Sequence, residues 1–427
     1  MRKKIHAYFW RIALCSCLFS SCAIDFDSSK WEPEPKPEKN YNAEVLWSRE
    51  VFGVPLQSHS AFFSPPLVIG PYGYFLAAGI SRVTKINLET GKVIWESEAV
   101  GGRYQHPQKI GAYIYQPKGF GYIAVINDSN GSLAATVMLG DNETEAMDND
   151  MWIEHFTVVS NDYLLWGNFP DVFSENTVAN AAAGIMRLNT AKIDFSKDPY
   201  AIQTVIPELI WTDGGTQVTA NILSENGILY FLNRSGMLIA LNVETGAVIW
   251  ERKMPHGEEM TDFPLALYNE NILVITDNLS FYNKFTGDFI FKIADLDIDD
   301  KPYDGRLRYT LHNNFLYYIN VFYSDIIAVN LDTGKIAWRN VIDSHYEAPY
   351  LDRHYYGPLA HAYGDTLLVM GDSGLRVYNT ADGKFIGVDK KFVMEDVYSV
   401  LYNDMLVFFG DYPGTYGSGY VTAIRCK

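Results

Sequence analysis

The sequence predicts an all-β propeller, a single ring of four-stranded blades. Three observations carry that expectation. One short phrase recurs along the chain, each copy reads as strand, tight turn and strand, and the last copy lacks a strand that stands at the opposite end of the sequence. The phrase is clearest as Ile86-Asn87-Leu88-Glu89-Thr90-Gly91-Lys92-Val93-Ile94-Trp95. It returns over Leu241–Trp250 and Val329–Trp338, and in weaker form at Tyr282–Gly287, Tyr378–Gly383 and Ile126–Gly131. A strand-rich repeat of about forty residues means a propeller or an array, because each unit has too little core to stand alone.

Each element follows from local chemistry. Glycine after Asn-x-Glu/Asp-Thr supplies the positive φ of a hairpin turn, and the Asn and acidic side chains can bond the turn's own backbone. Val93 and Trp95 alternate with Ile94, as residues do in a strand packed between neighbouring sheets. The tryptophans read as packing between blades. Taking each blade as inner strand A through outer strand D, the Thr-Gly turn joins C to D. Seven blades then run over about 59–98, 104–139, 151–212, 216–254, 261–294, 306–342 and 359–389, blade 3 being stretched by insertions at 168–184 and 189–207. An eighth begins near Val393 and stops at Tyr420–Arg425 with no strand D. Val45-Leu46-Trp47-Ser48-Arg49-Glu50 matches the outer-strand phrase without a strand C before it. Pairing the two closes the ring and removes two open edges. The count is eight, with seven as the alternative.

Residues 1–21 read as a leader, with Arg2, Lys3, Lys4 and Arg11 before and around a short apolar run from Ile12 to Phe19. Leu18-Phe19-Ser20-Ser21-Cys22 resembles a bacterial lipobox, which implies lipid attachment at Cys22 and delivery to the outer membrane, on its periplasmic side or at the cell surface. Residues 22–42 form the anchor and tether. Proline alternating with charge over Lys30–Asn40 favours extended polyproline II, a reach of roughly 55 Å at about 3.1 Å per residue. Residues 43–427 are the propeller.

Cys15 and Cys17 leave with the leader and Cys22 takes the lipid, so Cys426 alone remains in the folded body and no internal disulfide can form. Loss of the four basic leader residues takes the formal charge from −17 to −21. So acidic a surface repels phosphate backbones and speaks against nucleic acid as a partner. Cations, basic protein surfaces and neutral sugars remain open.

The Asn-x-Glu/Asp-Thr-Gly-x-x-x-Trp pattern resembles the PQQ-type propeller repeat over about residues 44–427. That family holds quinoprotein dehydrogenases and also cofactor-free lipoproteins of the BamB-like class. Quinoprotein alcohol dehydrogenases of the family use a vicinal cysteine pair against the quinone and a calcium site, and the mature chain here has no adjacent cysteines. The resemblance therefore implies a non-catalytic, cofactor-free, protein-binding scaffold anchored to the outer membrane. A cell-surface glycan or cation binder is the alternative, and a quinone-dependent dehydrogenase, since shorter quinoproteins lack the cysteine pair, is the least favoured.

Long segments gather on the face opposite the Thr-Gly turns, and long loops on a rigid ring are where binding surfaces are built. The candidate partner- or ligand-binding residues are Asp297, Asp299, Asp300, His345, Tyr346, Tyr350, His354 and Tyr355. Tyrosines there could stack on sugars, and the acidic run could attract cations. The run is not an EF-hand loop, because Asp300 and Arg306 stand where glycine and glutamate are needed. His59, His106, His155, His256, His345, His354 and His361 are expected in D-to-A loops or at the first residues of strand A, with His312 by a tight turn. No His-x-His or His-x-x-x-His spacing marks a metal centre.

Overall fold

The computed structural model describes residues 40–55, 66–77, 82–98, 100, 107–119, 121–140, 157–158, 163–168, 184–212, 222–233, 235–254, 265–275, 279–293, 308–320, 325–341, 359–371, 374–392, 398–411 and 418–426. The compact body is Tyr41–Lys427. Its strands form eight sheets, so the count of eight holds and seven is set aside. Blades 1 to 7 cover 67–96, 108–139, 157–211, 223–253, 265–293, 308–341 and 359–389. Blade 8 covers 398–425 and takes its outer strand, Val45–Pro55, from the other end of the chain. In that pairing Trp47 stands opposite Ala423, Ser48 opposite Thr422 and Glu50 opposite Tyr420, antiparallel, as the matching phrases predict.

The core is eight clusters, one between each pair of consecutive blades. Tyr74, Leu76, Val83 and Trp95 of blade 1 pack on Ile114, Ala124 and Ile126 of blade 2. The series continues around the ring to Trp47, Val407 and Ala423 of blade 8 against Phe75, Ile86 and Leu88 of blade 1. Strands B and C are buried along both faces, as in the buried runs of Arg82–Asn87 and Met237–Asn242. No single blade buries its apolar surface alone, so the ring is the unit of stability.

The repeat phrase builds one device many times. Asn87 Oδ1 accepts from the Thr90 amide at 3.0 Å and its hydroxyl at 2.9 Å, while the Gly91 amide donates to the Asn87 carbonyl. Asn242 and Asn330 make the same turn. Just after it the outer strand bulges: Lys85 pairs with Trp95 but Ile86 with Val93, leaving Ile94 unpaired and 41% exposed. The same shift leaves Ile249, Ile290 and Ile386 in the row of exposed apolar side chains. That row is thus a product of bulge geometry.

One element departs from the expected layout. The insertion at 189–207, read as part of blade 3, runs through a short 3-10 turn (Thr190–Lys192) into a strand, Ile202–Val205. That strand adds in parallel to Leu133–Leu139 and makes blade 2 five-stranded. Blade 3 takes Glu208–Trp211 as its outer strand.

Candidate functional site

The expected loop-face residues Asp297, Asp299, Asp300, His345, Tyr346, Tyr350, His354 and Tyr355 lie outside the described residues, as does Cys22. So do His59, His106, His155 and His256. What the structure does place is the tight-turn face, the inner ring and the contacts joining blade to blade.

The contacts at the tight turns run in one rotational direction, whereas on the inner strands the Tyr309 hydroxyl of blade 6 donates back to the Leu265 carbonyl of blade 5. The Trp95 Nε1 of blade 1 donates to the Asp128 carbonyl in the turn of blade 2 at 2.8 Å. Trp250 does the same to Lys284 of blade 5 and Trp338 to Thr380 of blade 7. Trp47 donates to Leu88 of blade 1 at 2.9 Å, so the closing strand repeats the device across the seam. Each ring lies flat on the next turn's glycine; a Cβ on Gly91 would come within 2.5 Å of Trp47, so this glycine serves close approach as well as positive φ. Where the tryptophan is absent another group fills the slot. Phe291 of blade 5 lies on Gly334, and Arg187 of blade 3 donates to the Val243 and Glu244 carbonyls of blade 4. Inner-strand ends follow the same sense: Glu225 of blade 4 pairs with Lys284 of blade 5 at 2.6 Å, Tyr268 reaches Asp332, and Tyr402 reaches Glu89.

The most charged of these junctions joins blades 1 and 2. Asp128 receives Lys85 at 2.7 Å, Lys109 at 2.6 Å and the Tyr74 hydroxyl at 2.7 Å. Burial alone would raise its carboxyl pKa, but the bonds from Lys109, Lys85 and Tyr74 outweigh that and hold it below the usual range. Lys85 also sits 4.4 Å from the centre of the Tyr72 ring. All the partners are spent on one another, so the cluster is a junction between blades.

Of the histidines expected in loops or early in strand A, His361 is described and falls on strand A of blade 7. It is the central residue of the inner strand Leu359–Tyr363, and its Nε2 lies 2.7 Å from Ser399 Oγ on the inner strand of blade 8. His312 ends its inner strand beside a tight turn, as expected, and meets the Gly364 carbonyl at 3.1 Å. A hydroxyl beside an imidazole has the outline of a nucleophile and base. Ser399 is only 7% exposed, however, and burial pushes the imidazole down to about 4, so the pair seals blade 7 to blade 8.

That contact carries a pH dependence. The unfolded histidine titrates near 6.5 and the folded one near 4, so between those values the unfolded chain binds the extra proton and stability falls as pH falls. The full effect is on the order of 2–3 kcal/mol once partial exposure is allowed for. Thermal melts at pH 7 and pH 4.5 should show a smaller acid loss for His361→Gln than for the parent chain. Equal losses would remove the histidine from the account.

Cys426 is a free, buried thiol, and burial first, with Asp404 adding to it, pushes its pKa up to about 12. It is protonated and shielded at neutral pH, an inert core residue. Burial likewise raises the phenols of Tyr115 and Tyr309 to about 12. Among the described residues no group of three His, Cys, Asp or Glu side chains is placed to hold a metal ion.

These features define an eight-bladed propeller of four-stranded antiparallel blades closed by an N-terminal outer strand. No protein-family model and no curated protein matches the sequence. Among solved structures, the chain is similar to BamB from Moraxella catarrhalis, with a TM-score of 0.57 and 14% identity over 90% of this chain and 98% of that one. It is similar also to the quinohemoprotein alcohol dehydrogenase of Comamonas testosteroni, with a TM-score of 0.56 and 12% identity over 90% of this chain and 76% of that one. Sqt1 of Saccharomyces cerevisiae matches at a TM-score of 0.57 and 11% identity, over 90% of this chain and 100% of that one. At such identities the likeness establishes the fold; the first two are PQQ-like propellers.

Proposed function

We propose that this chain is a lipid-anchored, non-catalytic propeller that serves as a protein-binding scaffold in the bacterial outer-membrane envelope. The observation that carries the reading is the pairing of a lipobox-like leader and proline-rich tether with a rigid eight-bladed body. The likeness to BamB, which covers nearly all of both chains, supports it at the level of fold. The polar clusters that the described body does hold, around Asp128, Arg187, Lys284 and His361, are each occupied in joining one blade to the next. The absence of a vicinal cysteine pair in the mature sequence favours a scaffold over a quinone-dependent enzyme of the alcohol dehydrogenase kind.

Crosslinking in intact cells, followed by purification of the full chain, tests the reading. A specific envelope protein should be captured, and mass spectrometry of the N-terminal peptide should find lipid on Cys22. Recovery of this chain alone, or an unmodified cysteine, would overturn it.

A further inference from the structure

Propellers leave the outer edge of every blade unpaired, and charge on the outer strand is the usual guard against pairing there. On blade 7 the edge is met by the segment ahead of the closing strand, the Tyr41 amide donating to the Val388 carbonyl and the Ala43 amide to the buried Asp389. Six blades obey the rule with outer strands that carry Lys92 and Glu96, Glu208, Arg252 and Lys253, Lys292, Lys335 and Arg339, and Arg49 and Glu50. Blade 2 does not: Leu133–Leu139 reads LAATVML. The insertion covers this bare edge with Ile202–Val205, yet the covering strand is itself uncharged, within the run Ala201-Ile202-Gln203-Thr204-Val205-Ile206.

The new edge is well built. Gln203 grips the backbone of Asp194 at both its amide and carbonyl, and Thr136 Oγ1 of blade 2 donates to the Pro199 carbonyl. Phe195 stacks on Tyr113 at 4.1 Å, and the Tyr200 hydroxyl donates to Glu98. Gln203 and Val205 face inward, leaving Ile202 56% and Ile206 55% exposed, flanked by Tyr200 at 66% and Leu209 at 40%. The Val205 carbonyl accepts from the Gly140 amide, so by strand alternation the backbone groups of Ile202, Thr204 and Ile206 point to the open side.

We propose that this edge is a self-association surface through which two copies of the chain join blade 2 to blade 2 about a two-fold axis. The pattern is its own complement. With Thr204 opposite Thr204 of a second copy in an antiparallel pair, Ile202 of each faces Ile206 of the other, and all three positions present outward backbone groups for paired hydrogen bonds. Apolar cross-strand pairs form and no charge is buried or opposed. An isologous contact of this kind needs one patch that matches itself, which this strand supplies.

The test uses the full chain in detergent. Light scattering should give a dimer at micromolar concentration. The double change Ile202→Lys with Ile206→Lys should weaken association at least tenfold with the melting temperature unchanged. A two-fold register places the Thr204 Cα atoms about 5.5 Å apart, within reach of a disulfide. Mild oxidation should therefore crosslink Thr204→Cys, whereas the parent chain and Gln203→Cys, whose side chain points into the blade, should stay uncrosslinked. A chain that is monomeric at about 100 μM, a dimer that survives the lysine pair, or crosslinking of Thr204→Cys to a different protein would each overturn the proposal.

Discussion

Trp47→Ala should lower the stability of the ring by about 3–5 kcal/mol, the cost of a large buried aromatic and the cavity it leaves. Trp47 is 7% exposed, lies against Gly91 and donates to the Leu88 carbonyl, so its removal strips the seam between blades 8 and 1. Deleting residues 42–50 should be worse. It removes the first six residues of the strand paired with Ser418–Arg425, along with the Ala43 amide bond to Asp389 and the Glu44 carbonyl bond from Arg425. Deleting residues 25–39 should leave the denaturation midpoint where it was. Both deletions melting alike would show that the seam is not where the ring is held.

The second large effect belongs to the charged junction. Asp128→Ala leaves Lys85 and Lys109 facing each other at the boundary of blades 1 and 2 and the Tyr74 hydroxyl without its acceptor. Stripping a buried pair of one partner costs about 3–5 kcal/mol, whereas replacing both with apolar groups is often close to neutral. Lys85→Met with Asp128→Leu should therefore recover much of the loss in a double-mutant cycle of denaturation midpoints. Additive losses would mean that the two residues do not act as a pair. The acid limb has a definite sign as well. The folded carboxyl titrates below its unfolded value of 3.8, so its contribution is present above that pH and drains away as pH falls through the folded value.

The ring was legible because its determinants are local. Asn87, Thr90, Gly91 and Trp95 lie within nine residues, and the same four roles recur at Asn242 and Asn330. The split last blade was legible for a related reason: Trp47 carries the outer-strand signature without a preceding partner. The fifth strand of blade 2 was not, because Ile202–Val205 pairs in parallel with a strand of another blade, and no turn in the sequence announces such a partner. A signal did exist in the absence of charge over Leu133–Leu139. The inter-blade ion pairs were also missed. Lys85, Arg187 and Lys284 stand in slots that are apolar in better copies of the repeat, at Ala240 and Ala328 for the first two and Leu88 and Leu331 for the third. Read singly they look like surface charge; read against the repeat they mark which blade must follow which.

The direction of the blade-to-blade contacts also has a consequence in time. Synthesis delivers Val45–Pro55 before any other strand of the body, and its hydrogen-bonding partner, Ser418–Arg425, last of all. Yet Trp47 reaches Leu88, only 41 residues ahead, as soon as the first turn exists. The closing strand can thus be parked on blade 1 while seven further blades are added, each docking its leading side chain on the turn that emerges after it. Only the final strand then has to find a target distant in sequence, and that target is already held in place, which shortens the slowest search such a topology imposes. A chain broken before its last strand would keep a waiting edge, a mark of incompleteness that survives until the polymer is whole.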